Sequence, residues 1–309
     1  MQIFLKSYIW RAYVKIYSSI KNNFFKYYIG QNKNNCKLII KKAIYLKNYT
    51  KNTSNLWNAY LNKIKFSFLT KDITKFLQWP EIISTMVKAD DKFTKIQLNK
   101  IQNLTSKYGK KIIEEKFVGF PRYSVYKLNS SANLIHHAYH LSIFERYTKK
   151  NILDHDLIIE FGGGYGSMCR LIKNMGYKGS YVIYDLKHLN LLQQYFLSNI
   201  FFKQNNNIED LRIKKNIILT SSIAIINKIF NKCKNVLFIS NWALEESSFN
   251  TQKKFKKYLK KSKSLLIGFE RCFQNDDRDY LNYFTKIIYD RNFVLKKAPY
   301  SSKSYYLVK

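Results

Sequence analysis

Apolar and polar positions form a repeating pattern from residue 157 to the carboxyl terminus. Short apolar runs of strand length are separated by segments in which apolar residues recur every three or four positions, as in amphipathic helices. The first five runs lie at 157–161, 181–184, 217–220, 236–240 and 265–269. Strands that alternate with helices at this spacing predict βαβ units and a parallel sheet.

The last two apolar runs are arranged differently. Residues 293–297 and 304–308 flank the turn-prone segment 298–302, which contains Pro299 and two serines. Two strands joined by a short turn predict an antiparallel hairpin at the edge of the sheet. The predicted fold class is therefore α/β, a mostly parallel seven-stranded sheet that ends in an antiparallel hairpin.

The amino-terminal part has a different pattern of apolar and polar residues. Residues 1–115 have a helical, basic pattern without a strand-and-turn rhythm, and the first Gly/Pro turn signal is Gly119-Phe120-Pro121. A long helical pattern follows at 131–147. We predict a helical basic N-terminal region, 1–115, and an α/β domain, 116–309.

Composition narrows the class of protein. The four cysteines are dispersed and form no Cys-x-x-Cys pair, so the sequence predicts neither a zinc knuckle nor a disulfide framework and favours a reducing cytoplasm. Lys6, Arg11 and Lys15 interrupt the apolar residues at the amino terminus, so no signal peptide or membrane span is predicted. Residues 4–28 could instead lie on an anionic membrane as an amphipathic helix, at the inner membrane face.

The net charge of +34 would suit a polyanionic partner such as nucleic acid, an anionic membrane or an acidic glycan. Lysines are spread along the whole chain rather than gathered in one stripe, which favours a diffuse solvated surface. Charge alone therefore cannot identify the partner. Nucleic acid is disfavoured by this distribution but stays open.

A glycine-rich turn follows the first predicted strand, in the run Glu160-Phe161-Gly162-Gly163-Gly164-Tyr165-Gly166. Glycines at this point allow a tight turn and a close approach to a ligand, while the next helix presents free N–H groups. Ser167 stands where the dinucleotide fingerprint needs a glycine, and the P-loop pattern also fails. The second strand ends at Asp185, where a carboxylate can accept hydrogen bonds from a ribose diol.

These two elements resemble the class I S-adenosylmethionine (SAM)-dependent methyltransferases, whose first motif is acid-x-Gly-x-Gly-x-Gly and whose second strand ends in an acid. The resemblance implies a Rossmann-like fold and SAM as cofactor. The cofactor-binding residues it implies are Glu160, Gly162, Gly163, Gly164, Tyr165, Gly166, Asp185, Thr220, Ser221, Ser222 and Asn241. In this assignment Glu160 holds the loop or the methionine ammonium, Asp185 the ribose, and Thr220 to Ser222 the adenine.

A narrower resemblance covers roughly residue 117 to the end. The segments 159–170, 181–186 and 240–246 are similar to bacterial sugar O-methyltransferases associated with surface-polysaccharide clusters. That similarity implies a sugar or glycan as the acceptor. The Asn-Pro-Pro-Tyr pattern of nitrogen-methylating enzymes is missing after the fourth strand, where Asn241-Trp242 stands instead.

Methylation of a sugar hydroxyl requires a base or a metal within hydrogen-bond reach, because the hydroxyl pKa lies far above neutral. His136, His137 and His140 lie on the helix before the first strand, and His136 and His140 share a face. Glu245 and Glu246 follow the fourth strand. We predict that His140, Glu245 and Glu246 supply the catalytic groups, and no metal site is predicted because no tight ligand spacing is visible.

The sequence is also compatible with two other functions. A basic, aromatic-rich N-terminal region would suit an RNA-directed methyltransferase, because lysine grooves and stacking platforms bind single strands. A non-catalytic scaffold would keep the cofactor cleft and bind a partner through its N-terminal helices.

Overall fold

The computed structural model describes residues 33–47, 53–201, 217–273, 278–288, 292–299 and 301–309. The membrane-surface helix proposed for residues 4–28 lies outside these ranges. Within them, seven strands form one sheet in the order β3-β2-β1-β4-β5-β7-β6. The strands are β1 Leu157–Phe161, β2 Ser180–Tyr184, β3 Ile217–Thr220, β4 Val236–Asn241, β5 Ser264–Glu270, β6 Val294–Lys297 and β7 Ser304–Val308.

The pairing of the strands confirms the predicted fold class. β1 to β5 pair in parallel, and β7 runs antiparallel to both β5 and β6. The chain crosses from β1 outward to β3 and then returns to β4 on the other side of β1. This reversal beside β1 opens a crevice at the carboxyl ends of the strands, which is where open α/β sheets bind ligands.

Helices cover both faces of the sheet. In chain order they are α1 Lys33–Ile44, α2 Asn55–Thr70, α3 Pro80–Met86, α4 Lys92–Lys100, α5 Gln102–Tyr108, α6 Ala132–Thr148, α7 Ser167–Asn174, α8 Lys187–Phe201, α9 Ile223–Phe230, α10 Phe249–Lys261 and α11 Tyr280–Ile287. Side chains alternate between the two faces along each strand. In β1, Ile158 packs with α6 to α8 and Ile159 with α9 to α11.

The helical region 33–115 packs against the first of these faces. Its buried side chains, including Ile39, Phe68 and Ile113, belong to the same hydrophobic cluster as the strand residues Ile183 and Ile239. The prediction of a helical region before the sheet is confirmed for the described residues. The boundary at 115/116 stays a prediction, because both sides of it share this cluster.

A buried ion pair also joins the two regions. Arg170 of α7 donates from Nη1 to Glu115 Oε2 at 2.8 Å, and both side chains are almost fully buried. Ser131, the N-cap of α6, donates to the other oxygen of Glu115 at 2.5 Å. The helix that follows the glycine loop is thus fixed to the end of the helical region. No helix in the described part of the chain is long and apolar enough to cross a membrane.

Candidate functional site

The sheet register brings four predicted residues to one level. Phe161 of β1 pairs with Tyr184 of β2 and with Ser240 of β4, and Tyr184 pairs with Thr220 of β3. The next residues along these strands are Gly162, Asp185, Asn241 and Ser221, which therefore lie side by side at the carboxyl edge. Parallel pairing explains why residues up to 79 positions apart meet here.

The glycine turn has the backbone conformation that its sequence predicts. Gly162, Gly164 and Gly166 have φ values of 72°, 56° and 97°, in the left-handed region that favours glycine. A Cβ on Gly162 would collide with Ala243, in the loop after β4. Gly162 therefore also allows the loops after β1 and β4 to pack together.

Asp185 is tied directly to the glycine turn. Its Oδ2 accepts hydrogen bonds from Gly164 N at 3.2 Å and from Gln193 Nε2 at 2.8 Å, while Oδ1 accepts from Leu186 N at 2.8 Å. A carboxylate offers about four acceptor positions and these bonds use three of them, so at most about one is left for a ligand hydroxyl. Gln193 also donates to Gly164 O, and sequence reasoning missed this residue although it lies two turns into the helix after Asp185.

These residues border one cavity of about 1100 Å³. Ten of the predicted residues line it, namely Glu160, Gly162, Gly163, Gly164, Tyr165, Asp185, Ser221, Asn241, His140 and Glu246, together with His136 and His137. The volume exceeds that of a typical small-molecule site, about 300–1000 Å³. It is large enough for two ligands side by side.

The cavity contains three carboxyl groups that are costly to ionise. Burial raises the pKa of Glu160 to about 8, that of Asp185 to about 7 and that of Glu246 to about 7. Tyr181 donates its hydroxyl to Glu160 Oε2 at 2.8 Å and opposes part of this shift. Buried carboxyls in one cleft, with no cation bonded to them in the described residues, suit a positively charged ligand.

The histidines of α6 differ in what surrounds them. His136 Nε2 and His140 Nε2 are 3.1 Å apart, and His136 Nδ1 lies 2.9 Å from Gln97 Nε2. Burial lowers the pKa of His136 and His140 far below the ordinary value, so the rings are neutral at pH 7. His140 is 1% exposed and contacts both His136 and Trp242. Burial also lowers the pKa of His137 to about 4.

The loop after β4 carries a strained aromatic residue. Trp242 has a φ of 52°, which is unusual for a bulky side chain, and its ring covers Gly268 of β5. The ring contacts His136, His140 and Tyr306 at centroid distances of 5.8, 5.2 and 5.5 Å. The neighbouring Asn241 Oδ1 is buried without a hydrogen-bond partner among the described residues. Such an atom beside a cavity is suited to accept a hydrogen bond from a ligand.

Four predicted residues do not line the cavity, and each has a structural contact. Thr220 Oγ1 accepts from Ser222 N at 3.0 Å, and Gly166 forms the N-cap of α7. Glu245 is 2% exposed, and its Oε1 accepts from Glu270 N at 3.2 Å on the side of α11. Burial raises the Glu245 pKa well above its ordinary value.

Sequence reasoning missed the part of the cavity wall that the helical region supplies. Trp57 of α2 and the segment 84–88 at the carboxyl end of α3 border the cavity, and Met86 lies 3.6 Å from the position of a Cβ on Gly164. Lys88 N donates to Asn133 Oδ1 at 3.2 Å, which links this segment to α6. No periodic or motif signal marks these residues, because they reach the site only through tertiary packing. Among the described residues, no cluster of three or more potential metal ligands is present.

Comparison with known proteins gives structural likeness without sequence similarity. No protein-family model and no curated protein matches the sequence. The methyltransferase domain of bacterial CtHen1 has a TM-score of 0.39 at 11% identity, over 56% of this chain and 96% of that one. Magnesium protoporphyrin IX methyltransferase from Synechocystis PCC 6803, with bound SAM, has a TM-score of 0.36 at 14% identity, over 72% and 100%. The 16S rRNA methylase RmtB has a TM-score of 0.35 at 9% identity, over 93% of this chain and 97% of that one. At these values the likeness says nothing about cofactor or substrate.

Proposed function

We propose that this chain is a SAM-dependent O-methyltransferase that acts on a sugar hydroxyl in surface-polysaccharide or glycan biosynthesis. The observation that carries the proposal is the direct hydrogen bond between Gly164 N and Asp185 Oδ2. It joins the two sequence elements of the methyltransferase resemblance in one cavity. Parallel pairing of β1 and β2 places both elements at the edge of the sheet where open α/β folds bind ligands.

The residues of the cavity fit SAM in charge and in shape. Glu160 and Asp185 are buried acids, and the cofactor carries a sulfonium and an ammonium group that would offset the cost of ionising them. Gly162 and Gly164 expose backbone for a close approach, and the unpartnered Asn241 Oδ1 can accept from an ammonium. When bound, SAM supplies an electrophilic methyl group.

The chain's own residues would handle the acceptor proton. Glu246 borders the cavity, and its raised pKa of about 7 places it near the optimum for a general base at neutral pH. We assign it the role of accepting the hydroxyl proton. His140 is more buried than His136, which it contacts, and we propose that it supports this side of the cavity through its packing on Trp242.

A sugar acceptor is supported by the mixture of side chains beyond the cofactor residues. Trp57 and Trp242 offer aromatic faces, and Asn133, His137 and Ser247 add polar groups around them. Aromatic faces pack against the C–H surface of a sugar ring while polar groups bind its hydroxyls. The cavity volume of about 1100 Å³ leaves room for such a ring beside a nucleoside.

Two measurements test the proposal. Calorimetric titration with SAM should show one site per chain, and no heat of binding would refute the cofactor assignment. Methyl-labelled SAM should then transfer its label to a member of a panel of methyl glycosides and sugar nucleotides. Label in RNA alone would refute the sugar assignment.

RNA remains the second candidate because of one surface. The outward face of α10 presents exposed lysines with no acidic residue in the helix: Lys253, Lys254, Lys256, Lys257, Lys260 and Lys261. A lysine face of this kind attracts phosphate backbones. Transfer to an RNA transcript that falls steeply with added salt would favour this candidate.

A further inference from the structure

Trp57 connects the helical region to the group proposed as the base. Its indole Nε1–H donates to Glu246 Oε2 at 2.9 Å, across 189 positions of sequence. Trp57 lies in the first turn of α2, and the N-cap side chain of Ser54 accepts a hydrogen bond from its backbone N at 3.4 Å. All three residues border the cavity. The N-cap bond thus fixes the backbone that carries the indole ring.

The chemistry of this contact is directional. An indole N–H can only donate, so it binds an acceptor and favours the ionised form of a carboxyl group. It occupies one oxygen of Glu246 and leaves the other for a proton. The carboxyl of Glu270 acts in the opposite sense, since its charge adds to the rise in the Glu246 pKa that burial causes.

We propose that Trp57 is a positioning residue for Glu246, so that the N-terminal helices complete the acceptor side of the active site. The role of Glu246 as base rests on the proposed function, whereas the contact itself does not. In this arrangement the helical region fixes which carboxylate oxygen faces the acceptor.

The indole proton itself reports on the contact, so the first test needs no acceptor. In ¹H–¹⁵N spectra the Trp57 indole signal, assigned by its loss in Trp57→Phe, should shift with a midpoint near pH 7 as Glu246 ionises. Glu246→Gln keeps an acceptor oxygen and removes the titration, so the signal should become flat. Trp79 is a matched control, because its Nε1 donates to the backbone carbonyl of Asp72 at 3.3 Å and should not titrate near pH 7. A Trp57 signal that does not titrate, or titrates equally in Glu246→Gln, would overturn the proposal.

The second test separates positioning from folding. Trp57→Phe keeps an aromatic ring and loses the donor, so SAM affinity should stay within about twofold while the pH–rate midpoint moves upward. Equal loss of rate at every pH would mean a purely structural role and would overturn the proposal. If wild-type protein bound no SAM, the proposed function would fail, yet the indole titration would still decide the contact.

Discussion

The two halves of the cavity are built in different ways. The cofactor half comes largely from the backbone of one short segment, Glu160 to Tyr165, and from Asp185 directly after the next strand. The acceptor half comes from side chains of α2, α6 and the loop after β4, including Trp57 and Trp242. A site made of backbone conformation is encoded locally, whereas a site made of converging side chains depends on the whole fold.

The largest effect is expected from changes to the glycine turn and to Asp185, which together form the cofactor half of the cavity. Gly164→Val places a branched side chain at a φ of 56°, and Asp185→Ala removes the carboxylate that holds Gly164 N. We expect both variants to lose measurable SAM binding in calorimetry. Gly176→Val is the matched control, because Gly176 has a φ of 102° with open space around it but does not border the cavity. It should lose stability and keep its affinity; unchanged affinity in Gly164→Val or in Asp185→Ala would contradict the assignment of that residue.

A change on the acceptor side should separate turnover from cofactor binding. Glu246→Gln keeps the size of the side chain and removes the base, so turnover should fall about 10²- to 10⁴-fold with little change in SAM affinity. The comparison variant His140→Ala should slow turnover by less, because His140 acts through His136 and Trp242. Full activity in Glu246→Gln would place the base elsewhere, and full activity in His140→Ala would remove the supporting role of His140.

The difference between the locally encoded cofactor half and the acceptor half explains which features could be predicted from the sequence. The strands, the hairpin and the positions of Glu160, Gly164 and Asp185 follow from apolar periodicity and from a motif within 26 residues. Trp57 could not be predicted, because nothing near it in sequence indicates that it meets Glu246.

The glutamates after β4 show the same limit. They are adjacent in sequence, yet Glu246 borders the cavity whereas Glu245 bonds to Glu270 N behind it. Only the turn geometry of this loop distinguishes two identical side chains. Periodicity cannot supply that information.

The ion pair between Arg170 and Glu115 tests whether the helical region and the sheet act as one folding unit. Arg170→Met leaves a buried carboxylate without its cation and should lower the free energy of unfolding by about 3–5 kcal/mol. The exposed pair of Lys107 with Glu145 is the control, and Lys107→Ala should cost less than about 1 kcal/mol. Chemical denaturation followed by fluorescence measures both. If the denaturation curve showed two separate unfolding transitions and Arg170→Met destabilised only one of them, the two regions would unfold independently.

The smallest expected effect is a pH dependence of SAM affinity, which arises from Glu160 in the cofactor half of the cavity. Burial raises the pKa of Glu160 to about 8, above its value of about 4.3 in an unfolded chain. The free protein is therefore stabilised by the protonated form at low pH, and that stability is lost as the pH rises through 8. A cationic ligand that needs Glu160 ionised must displace its proton, so SAM affinity should fall about tenfold between pH 7 and pH 6.

Calorimetry at the two pH values measures this fall, and Glu160→Gln separates its cause from other titrating groups. The variant has no carboxyl proton to displace. It should bind SAM more weakly than the wild type, and its affinity should change less between pH 7 and pH 6. Adenosine is the second control, because it lacks both cationic groups of SAM and should bind with little dependence on Glu160. Equal pH dependence in wild type and Glu160→Gln would mean that Glu160 supports the turn through Tyr181 without facing the cofactor's charge. The cofactor half would then be encoded by backbone shape and Asp185 alone.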